Sequence, residues 1–582
     1  MSIIRRLLQC IGAYKKDALL APLFMVGEVV LEVVIPFLMA SLIDIGIDGG
    51  QPAYIWRMGA VLTVCAAGAL VCGVLSGSFA ASASAGFARN LRREMFSNIQ
   101  TFSFTLLDKF TAASLVTRLT SDVTNVQVAF QMLLRLAVRS PLMLALAFAM
   151  AFHVQPTVAL FFLAVVPVLA LGIWFIMGHV HPIFVRVFAT YDRLNKTVQE
   201  NVRGIRVVKS FVREAYEREK FNSVSASIFT DFTRAEKRMA FTMPLMQFCM
   251  YACMLLIAWV GARLIVGGEM SAGQLMSMFT YAMQILFSLM MLSMVFVMMI
   301  ISRASAERIT EVLLAETDLT SGPDGATVVP DGAIVFRGVD FGYGGRSGKM
   351  CLTGIDLSVA AGETVGILGG TGSGKTSLIQ LIPRLCDATA GTVEVGGRDV
   401  RAYDLTALRN AVTTVPQKNE LFSGTIRENL RWGSEQASEA EMIRACRLAQ
   451  ADAFVRALPA GYDTQLEQGG ANLSGGQKQR LCIARALLKQ PKILILDDAT
   501  SAVDMRTDAA LRRALREELP AMTRLIIAQR VDSVRDADKI VVLDGGRVQA
   551  VGTHAELLQT CRIYQEVCHS QRKGGDFDET EL

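Results

Sequence analysis

Residues 369–376 read Gly-Gly-Thr-Gly-Ser-Gly-Lys-Thr, directly after the apolar stretch Thr364–Leu368. Glycines at this spacing let backbone N–H groups curl around phosphate oxygens, and a helix that begins there adds its positive N-terminal end. Lys375 would reach the outer phosphates, and the hydroxyl of Thr376 can bind Mg²⁺. A glycine-rich turn without function is the alternative, but the strand, the spacing and the helical pattern that follows favour a nucleoside triphosphate site. Its predicted residues are Gly369, Gly370, Thr371, Gly372, Ser373, Gly374, Lys375, Thr376 and Ser377.

An acidic element follows later in the chain, where the apolar run Ile493–Leu496 leads into Asp497 and Asp498. An apolar strand that ends in aspartate places a carboxylate where it can hold the metal of a bound nucleotide. Such strand endings are common, so this element alone indicates little. Together with the glycine-rich loop it predicts that Asp497, like Thr376, is a ligand of Mg²⁺.

Between these two elements the chain reads Leu-Ser-Gly-Gly-Gln at residues 473–477. This motif, placed before an apolar strand that ends in aspartate, resembles the signature of ABC-transporter ATPases. The resemblance implies that the nucleotide is ATP and that the signature grips the γ-phosphate of an ATP molecule bound by a partner chain. The signature residues that would do so are Ser474, Gly475, Gly476 and Gln477.

Three further positions resemble motifs of the same family, in the order in which the family has them. Tyr343, in Phe-Gly-Tyr, resembles the aromatic residue that stacks on adenine. Gln417, in Val-Pro-Gln, resembles the glutamine that contacts Mg²⁺ and couples the ATPase to the membrane domain. Asp504 ends the sequence Ser-Ala-Val-Asp, which resembles the D-loop.

The composition of the whole chain indicates a membrane protein. Of its 582 residues 52% are hydrophobic and only 19% are charged, with a mean hydropathy of +0.39, whereas soluble domains carry about 25% charged residues. This balance excludes a disordered chain. The net charge of +5 is small and its basic residues are scattered, which argues against a nucleic-acid partner. The 11 cysteines stand singly, in neither a disulfide nor a zinc pattern.

The apolar runs lie in the first 302 residues and are long enough to cross a membrane. About 20 apolar residues span the hydrocarbon core as a helix, and only helices or closed barrels satisfy the backbone there. The stretch 140–185 is long enough for two spans with a turn at residues 153–156. Six helices are therefore predicted, from the runs Leu19–Ile43, Gly59–Ala88, Ser140–Val185, Phe241–Ala262 and Ser271–Ser302.

Basic residues predict the orientation of these helices. The loops after the second and fourth spans carry most of the Lys and Arg, whereas residues 44–54 on the other side carry none. Positive loops stay cytoplasmic, so we expect both termini in the cytoplasm and, because the outer loops are short, a bacterial plasma membrane. Charged and apolar residues alternate at helical spacing in Thr197–Phe221, so the long loops are expected to be helical extensions into the cytoplasm.

The composition changes after Ser302, which predicts the division of the chain. Residues 1–302 are expected to form the all-α membrane domain, and residues 303–332, with Thr-Ser-Gly-Pro-Asp-Gly, a linker. In residues 333–570 short apolar runs alternate with amphipathic stretches, which predicts an α/β domain with a largely parallel, buried sheet. Residues 571–582 are expected to be a disordered acidic tail.

Six spans followed by such an ATPase domain resemble the half-transporters of ABC exporters over nearly the whole chain. The resemblance implies a dimer in which each ATP lies between the glycine-rich loop of one chain and the signature of the other. The spans speak against a soluble ABC ATPase, and an importer usually has its membrane and ATPase parts on separate chains. An exporter of drugs, lipids or other amphiphiles is the leading hypothesis, and a regulatory subunit with ATP as a clamp stays open.

Two positions depart from the family pattern. Asp498 stands where the family has a glutamate that polarises the attacking water, and Gln529 stands where it has a histidine. Both serve the composite site of this chain's own glycine-rich loop, whereas Ser474 and Asp504 would serve the other site. The sequence therefore predicts a heterodimer whose partner carries Glu and His at these positions. A homodimeric exporter or lipid flippase with two slow ATP sites is the alternative. The predicted catalytic set is Asp498, Gln529, Gln417, Ser474 and Asp504.

The membrane half offers weaker indications about a small amphipathic cargo. Glu28 and Glu32 share one helical face, and ionisable residues within a span are by default functional candidates; a polar contact between helices is an equal alternative. Thirteen of the 27 methionines lie in residues 243–299, which suits either a repacking surface for apolar cargo or ordinary packing. Candidates of the weaker kind are Gln247, Tyr281 and Gln284.

Overall fold

The computed structural model describes residues 3–317, 319–321, 325–343, 349–499 and 502–573. The chain divides into two compact units, one formed by Met1–Gln100 with Ala112–Ala315, the other by Thr101–Thr111 with Glu316–Leu582. The predicted disordered tail at 571–582 lies outside the described residues from 574 onward. Residues 571–573 belong to the last helix rather than to a disordered segment.

The first unit is built from helices alone in its described residues. Three of them begin at a start signal in the sequence: Pro52 and Pro156 in the first turn of two helices, and the Ser271–Gln274 capping box of a third. The helices of this unit are α1 Ile3–Gln9, α2 Lys15–Ser41, α3 Pro52–Ile99, α5 Ala112–Thr117, α6 Val123–Val154, α7 Pro156–Arg203, α8 Ile205–Ser210, α9 Glu214–Met239, α10 Thr242–Val266 and α11 Ala272–Leu313, with α4 Phe104–Phe110 belonging to the second unit.

Six helical stretches of the described chain are long and apolar enough to cross a membrane, as predicted. The predicted turn at residues 153–156 is confirmed, because α6 ends at Val154 and α7 begins at Pro156. Helices α3 and α7 have 48 residues each, which is about 72 Å of helix against a hydrocarbon core of about 30 Å. The predicted extensions of the helices beyond the membrane are therefore present.

Helix α11 continues to Leu313, beyond residue 302, where the linker was expected to begin. Ser305, Ile309 and Val312 are buried on one face of this last part, which explains why the helix continues. Arg308 forms an ion pair with the buried carboxylate of Asp122 in the same unit. The non-helical segment starts after this pair, so the sequence placed the boundary too early.

The second unit contains a six-stranded sheet with the order β12-β11-β3-β10-β9-β6, parallel except for β12. Strands β3, β9 and β10 are buried at every position, as expected for a sheet covered on both faces. A four-stranded antiparallel sheet, β2-β1-β4-β5, was not predicted. The strands are β1 Ile334–Gly342, β2 Met350–Val359, β3 Thr364–Leu368, β4 Ala390–Val395, β5 Arg398–Asp399, β6 Val412–Val415, β7 Gly424–Thr425, β8 Gln465–Leu466, β9 Ile493–Asp497, β10 Thr523–Ile527, β11 Lys539–Asp544 and β12 Arg547–Gly552.

Helices lie between these strands along the chain, and the parallel order brings three strand ends together. The glycine-rich loop follows β3, the paired aspartates end β9, and Gln529 follows β10. Because β3, β10 and β9 are neighbours and parallel, their carboxyl ends share one edge of the sheet. The helices are α12 Lys375–Leu381, α13 Leu405–Ala411, α14 Ile426–Arg431, α15 Glu439–Leu448, α16 Asp452–Ala457, α17 Gly475–Leu488, α18 Met505–Glu518, α19 His554–Thr560 and α20 Arg562–Lys573.

Candidate nucleotide-binding site

The glycine-rich loop connects β3 to α12 through a backbone that only glycine adopts easily. Gly372 and Gly374 have φ angles of +83° and +96°, in the left-handed region where a side chain is strained. A side chain at Gly374 would also lie 2.7 Å from the side chain of Leu352, whereas nothing lies within 4 Å of the corresponding position at Gly370. The loop therefore packs tightly on one side and leaves open space on the other.

Lys375 begins α12 and turns its ammonium group back onto the loop. Its Nζ atom donates to the carbonyl oxygens of Gly369, at 2.7 Å, and Gly370, at 2.8 Å. Burial lowers the pKa of Lys375 from its ordinary value, and the carboxylates of Asp497 and Asp498 act in the opposite direction. In this arrangement the loop's own carbonyls hold the cation that a phosphate would attract.

Asp497 lies at the end of β9 against the start of α12. Its Oδ2 atom lies 3.3 Å from the hydroxyl of Thr376, which donates to it, and the residue is buried. Burial raises the pKa of Asp497, with the neighbouring Asp498 adding to the rise, and Thr376 and Lys375 oppose it. The structure thus brings two predicted metal ligands together at the mouth of the loop.

Asp498 receives hydrogen bonds from the side chains of both Gln417 and Gln529. The amide Nε2 atoms of these glutamines lie 3.4 Å and 3.5 Å from its Oδ2 atom. The backbone of Asp498 has a φ angle of 50° and its N–H donates to Ile527 at the end of β10. Burial raises the pKa of this carboxyl, and the hydrogen bond from Gln417 is the leading opposing cause. The two residues that depart from the family pattern therefore contact each other.

The signature forms the start of a helix rather than a loop. Ser474 is the N-cap of α17 and forms a capping box with Gln477, in which each side chain bonds the other's backbone N–H. A side chain at Gly476 would lie 2.8 Å from the carbonyl oxygen of Ala502. Asp504 in turn caps α18 by accepting from the N–H of Thr507 at 2.9 Å.

The described hydrogen bonds place the predicted site residues in two separate groups. One group surrounds Asp498 and the glycine-rich loop, and the other contains the signature and Asp504. Among the described residues, no hydrogen bond links residues 474–477 to residues 369–377. Thr500 and Ser501, which lead toward Asp504, lie outside the described residues.

Tyr343, the predicted adenine platform, is half-exposed and lies beside α12. Its hydroxyl is 3.3 Å from the hydroxyl of Ser377 and donates to Gln380 at 3.0 Å, and its ring stands edge-on to Phe341. Burial raises the pKa of this phenol. The ring is thus anchored at the helix that follows the glycine-rich loop.

Two glutamines that were not predicted from the sequence support these groups. Gln479 is buried, and its Oε1 atom accepts from the N–H of Ala502 at 3.0 Å, which fixes α17 to the segment before Asp504. Gln571, in α20, donates to the carbonyl oxygen of Gln529 at 2.7 Å and accepts from the N–H of Val531 at 2.8 Å. Nothing in the spacing of the sequence marks either residue, because both contacts depend on tertiary packing.

Substituting Gln571→Ala should loosen the segment that carries Gln529. Each lost hydrogen bond contributes about 1 kcal/mol, so amide exchange in a peptide covering residues 525–535 should accelerate about tenfold when followed by mass spectrometry. Gln565→Ala is the matched control, because Gln565 lies in the same helix but bonds Leu558 instead. Equal exchange in both variants would contradict the supporting role of Gln571.

The structure also places the membrane candidates. Tyr281 is fully buried and donates to the backbone oxygen of Val33 at 3.0 Å, which is a packing role. Gln284 donates to the backbone oxygen of Glu32 at 3.3 Å. The carboxylates of Glu28 and Glu32 both bind Arg139, which the sequence analysis left outside the third span because that span was counted only from Ser140. The remaining candidate, Gln247, donates to the hydroxyl of Tyr251.

The fold and this site together define an ATP-driven membrane transporter, with six apolar helices followed by a P-loop ATPase domain. The chain belongs to the ABC transporter family. The family model for the ABC transporter transmembrane region matches residues 19–290, and the model described as ABC transporter matches residues 352–501. The chain binds and hydrolyses ATP as members of this family do.

Two relatives and one solved structure match most of the chain. An uncharacterized ABC transporter ATP-binding protein of Bacillus subtilis, YfiB, is 36% identical over 98% of this chain and 100% of its own length. An ATP-dependent lipid A-core flippase of Desulfotalea psychrophila is 32% identical over 83% of this chain and 84% of its own. A bacterial Atm1-family ABC exporter with ATP bound superposes with a TM-score of 0.81, at 24% identity, over 96% of this chain and 99% of that one, and so shares the fold.

Proposed function

We propose that the chain is one subunit of a heterodimeric ABC exporter that moves amphipathic or drug-like molecules out across a bacterial plasma membrane. The observation that carries this proposal is the contact between Asp498 and Gln529. Asp498 and Gln529, which both depart from the family pattern, contact each other and therefore belong to the same ATP site. Drift at two unrelated positions is the alternative, and the shared site of the two residues is the reason to prefer one degenerate ATP site.

At this chain's own site, ATP would lie on the glycine-rich loop with its phosphates toward Lys375. The donor set fits Mg²⁺, because Thr376, Asp497 and Gln417 offer hydroxyl, carboxylate and amide oxygens, which this hard cation prefers. Bound Mg²⁺ would neutralise the charge that develops on the phosphates. Tyr343 would stack on the adenine.

Asp498 is a poor residue for positioning the attacking water. Its side chain is one methylene shorter than glutamate, and a misplacement of about 1 Å can cost about 100-fold in rate. Gln529 can donate a hydrogen bond to a phosphate but cannot carry a proton or a positive charge. We therefore assign slow turnover, or none, to the site that contains this chain's glycine-rich loop.

The groups that this chain would lend to the partner's site are intact. The capping box fixes Ser474 at the start of α17, and Asp504 is held as the cap of α18. Backbone hydrogen bonding, led by the N–H of Thr507, lowers the pKa of Asp504, so this carboxylate stays ionised. A partner with Glu and His at the equivalent positions would complete a fast site.

A second candidate is a homodimeric exporter or lipid flippase with two slow sites. The specific observation in its favour is the 32% identity to a protein named as an ATP-dependent lipid A-core flippase. The two candidates differ in the partner, which a purification can determine. Affinity-tagged chain extracted from its native membrane should bring down a second, different half-transporter in a 1:1 ratio. Dimers that contain only this chain would contradict the heterodimer.

Replacing Lys375→Ala tests the role of this chain's own site. Loss of the phosphate-facing cation should weaken labelling of this chain by a photoreactive ATP analogue by about tenfold or more. ATP turnover by the assembled complex should fall only in part, because the partner's site remains. Lys237→Ala, at an exposed position in α9, is the matched control. Complete loss of turnover, while the partner chain still binds nucleotide, would argue against a regulatory site.

A further inference from the structure

Three charged side chains meet inside the membrane unit. The guanidinium of Arg139, in α6, lies 2.5 Å from the carboxylate of Glu28 and 2.7 Å from that of Glu32, both in α2. Two carboxylates face one guanidinium, so with both acids ionised the cluster carries one excess negative charge. Uncompensated charge within a membrane span is costly and marks functional sites by default.

Two oxygen atoms in this region have no hydrogen-bond donor among the described residues. One is Oε2 of Glu28, a residue that is only 9% exposed, and the other is the buried Oε1 atom of Gln284. The amide of Gln284 cannot simply be turned over, because its Nε2 atom donates to the backbone oxygen of Glu32, which only accepts. Both atoms are acceptors, and the donor one helical turn from Arg139 that is unpartnered in the described chain, the buried Nε atom of Arg135, does not reach them.

A cavity of about 330 Å³ opens beside Glu32 and Gln284, between α2, α6 and α11, and Glu28 lies outside its lining. Its volume is at the lower end for ligand pockets, which begin near 300 Å³, and suits a head group with a short apolar segment. Polar side chains line one part of it and apolar side chains the rest. The residues that matter here are Glu32, Arg139 and Gln284, with Ile35, Met143 and Phe287.

We propose that this cavity binds the ammonium group of an amphipathic primary or secondary amine. The inference rests on the proposed export function and names the class of its cargo. A protonated amine beside Glu32 would balance the excess charge of the three groups, and its N–H groups would supply the donor that Gln284 lacks. The ring of Phe287 can add a cation–π contact, and the apolar lining would receive the start of the hydrocarbon chain.

The alternative is that the ion pairs of Arg139 only hold α6 to α2. That role explains why Arg139 binds the two acids, but it does not explain the unpartnered oxygen atoms of Glu28 and Gln284 or the cavity. Gly73 lets the carboxylate of Glu28 pack against α3, because a side chain there would lie 3.1 Å from it, so Glu28 acts on the cavity through its charge rather than by contact.

Arg135 lies one helical turn from Arg139, outside the lining of the cavity and beside Gly77, and it offsets part of the negative charge of the two acids from a distance. Its positive charge opposes the binding of a cation. Removing it should therefore strengthen amine binding, whereas removing the charge of Glu28 or Glu32 should weaken it.

Octylamine, octyltrimethylammonium and octanol are matched probes for this site. All three have an eight-carbon chain. Protonated octylamine has a positive charge and N–H donors, octyltrimethylammonium has the charge without N–H donors, and octanol has neither. Binding to the complete exporter in lipid nanodiscs, measured by calorimetry, should be tightest for octylamine. Glu28→Gln and Glu32→Gln should each raise the dissociation constant for octylamine about tenfold or more, Arg135→Gln should lower it, and none should change octanol binding. Glu269→Gln, in an exposed loop, is the control for the same chemical change.

Equal binding of the three probes, or octylamine binding that Glu28→Gln and Glu32→Gln leave unchanged, would overturn this site. A parallel loss of octanol binding in both variants would also overturn it, because that result indicates a structural role for the acids. Transport into inside-out vesicles separates this test from that of the exporter function. If the exporter takes up an uncharged amphiphile with ATP but does not bind octylamine, the export function is supported and the amine site is overturned. Octylamine binding without ATP-driven uptake of any amphiphile would leave the site and overturn the export function.

Discussion

Asp498→Glu and Gln529→His together should raise ATP hydrolysis by dimers of this chain alone about 100-fold. In such dimers each site pairs an intact signature with the shortened carboxylate and with a glutamine that cannot carry a proton. Loss of a general base typically costs about 10²–10⁴-fold, so most of this loss should be recovered. The contact between the two side chains, at 3.5 Å, means that the changes should act together rather than additively.

The measurement is steady-state ATP hydrolysis in nanodiscs after dimers have been confirmed by mass. The unmodified chain, each single variant and the double variant are compared at equal dimer concentration. Asp544→Glu, at the exposed last position of β11, controls for the added methylene. Robust drug-stimulated turnover by the unmodified chain alone would refute the heterodimer and favour an ordinary homodimeric exporter.

Much of the architecture follows from local patterns in the sequence. Apolar runs predicted the six membrane helices, the first of them despite Glu28 and Glu32, and Gln155-Pro156 marked the turn between two of them. The apolar strand Ile493–Asp497 predicted that Asp497 lies at a strand end, and the parallel order of β3, β10 and β9 then brings it to Thr376. The sequence also predicted that Asp498 and Gln529 belong to one site, although their mutual contact is visible only in the structure.

What the sequence did not predict depends on contacts between distant segments. Arg139 was missed because charge-free runs were used to define spans, and an arginine paired with two glutamates can lie inside one. The continuation of α11 to Leu313 depends on packing and on the Arg308–Asp122 ion pair. The supporting contact of Gln571 joins the last helix to a residue 42 positions earlier, and no local pattern encodes it.

Ser474→Ala should reduce ATP turnover by the assembled exporter more strongly than Asp498→Asn. Ser474 would face the γ-phosphate in the fast site that the partner's glycine-rich loop forms, whereas Asp498 lies in the site that already lacks a good base. Loss of a single donor to a reacting oxyanion costs about 10²–10³-fold, so we expect a fall of that size for Ser474→Ala. Asp498→Asn should change the rate less than about threefold, since one site then carries most of the turnover.

Ser474 also caps α17, so its removal has a structural cost that must be separated from the catalytic one. Replacing an N-cap serine by alanine costs about 1 kcal/mol of stability. Ser438→Ala is the matched control, because Ser438 forms the same kind of capping box with Glu441 at the start of α15. Similar shifts in melting temperature for the two serine variants, with a large loss of turnover only for Ser474→Ala, would assign the effect to the ATP site. A larger loss for Asp498→Asn than for Ser474→Ala would place turnover at this chain's own site and refute the assignment of unequal sites.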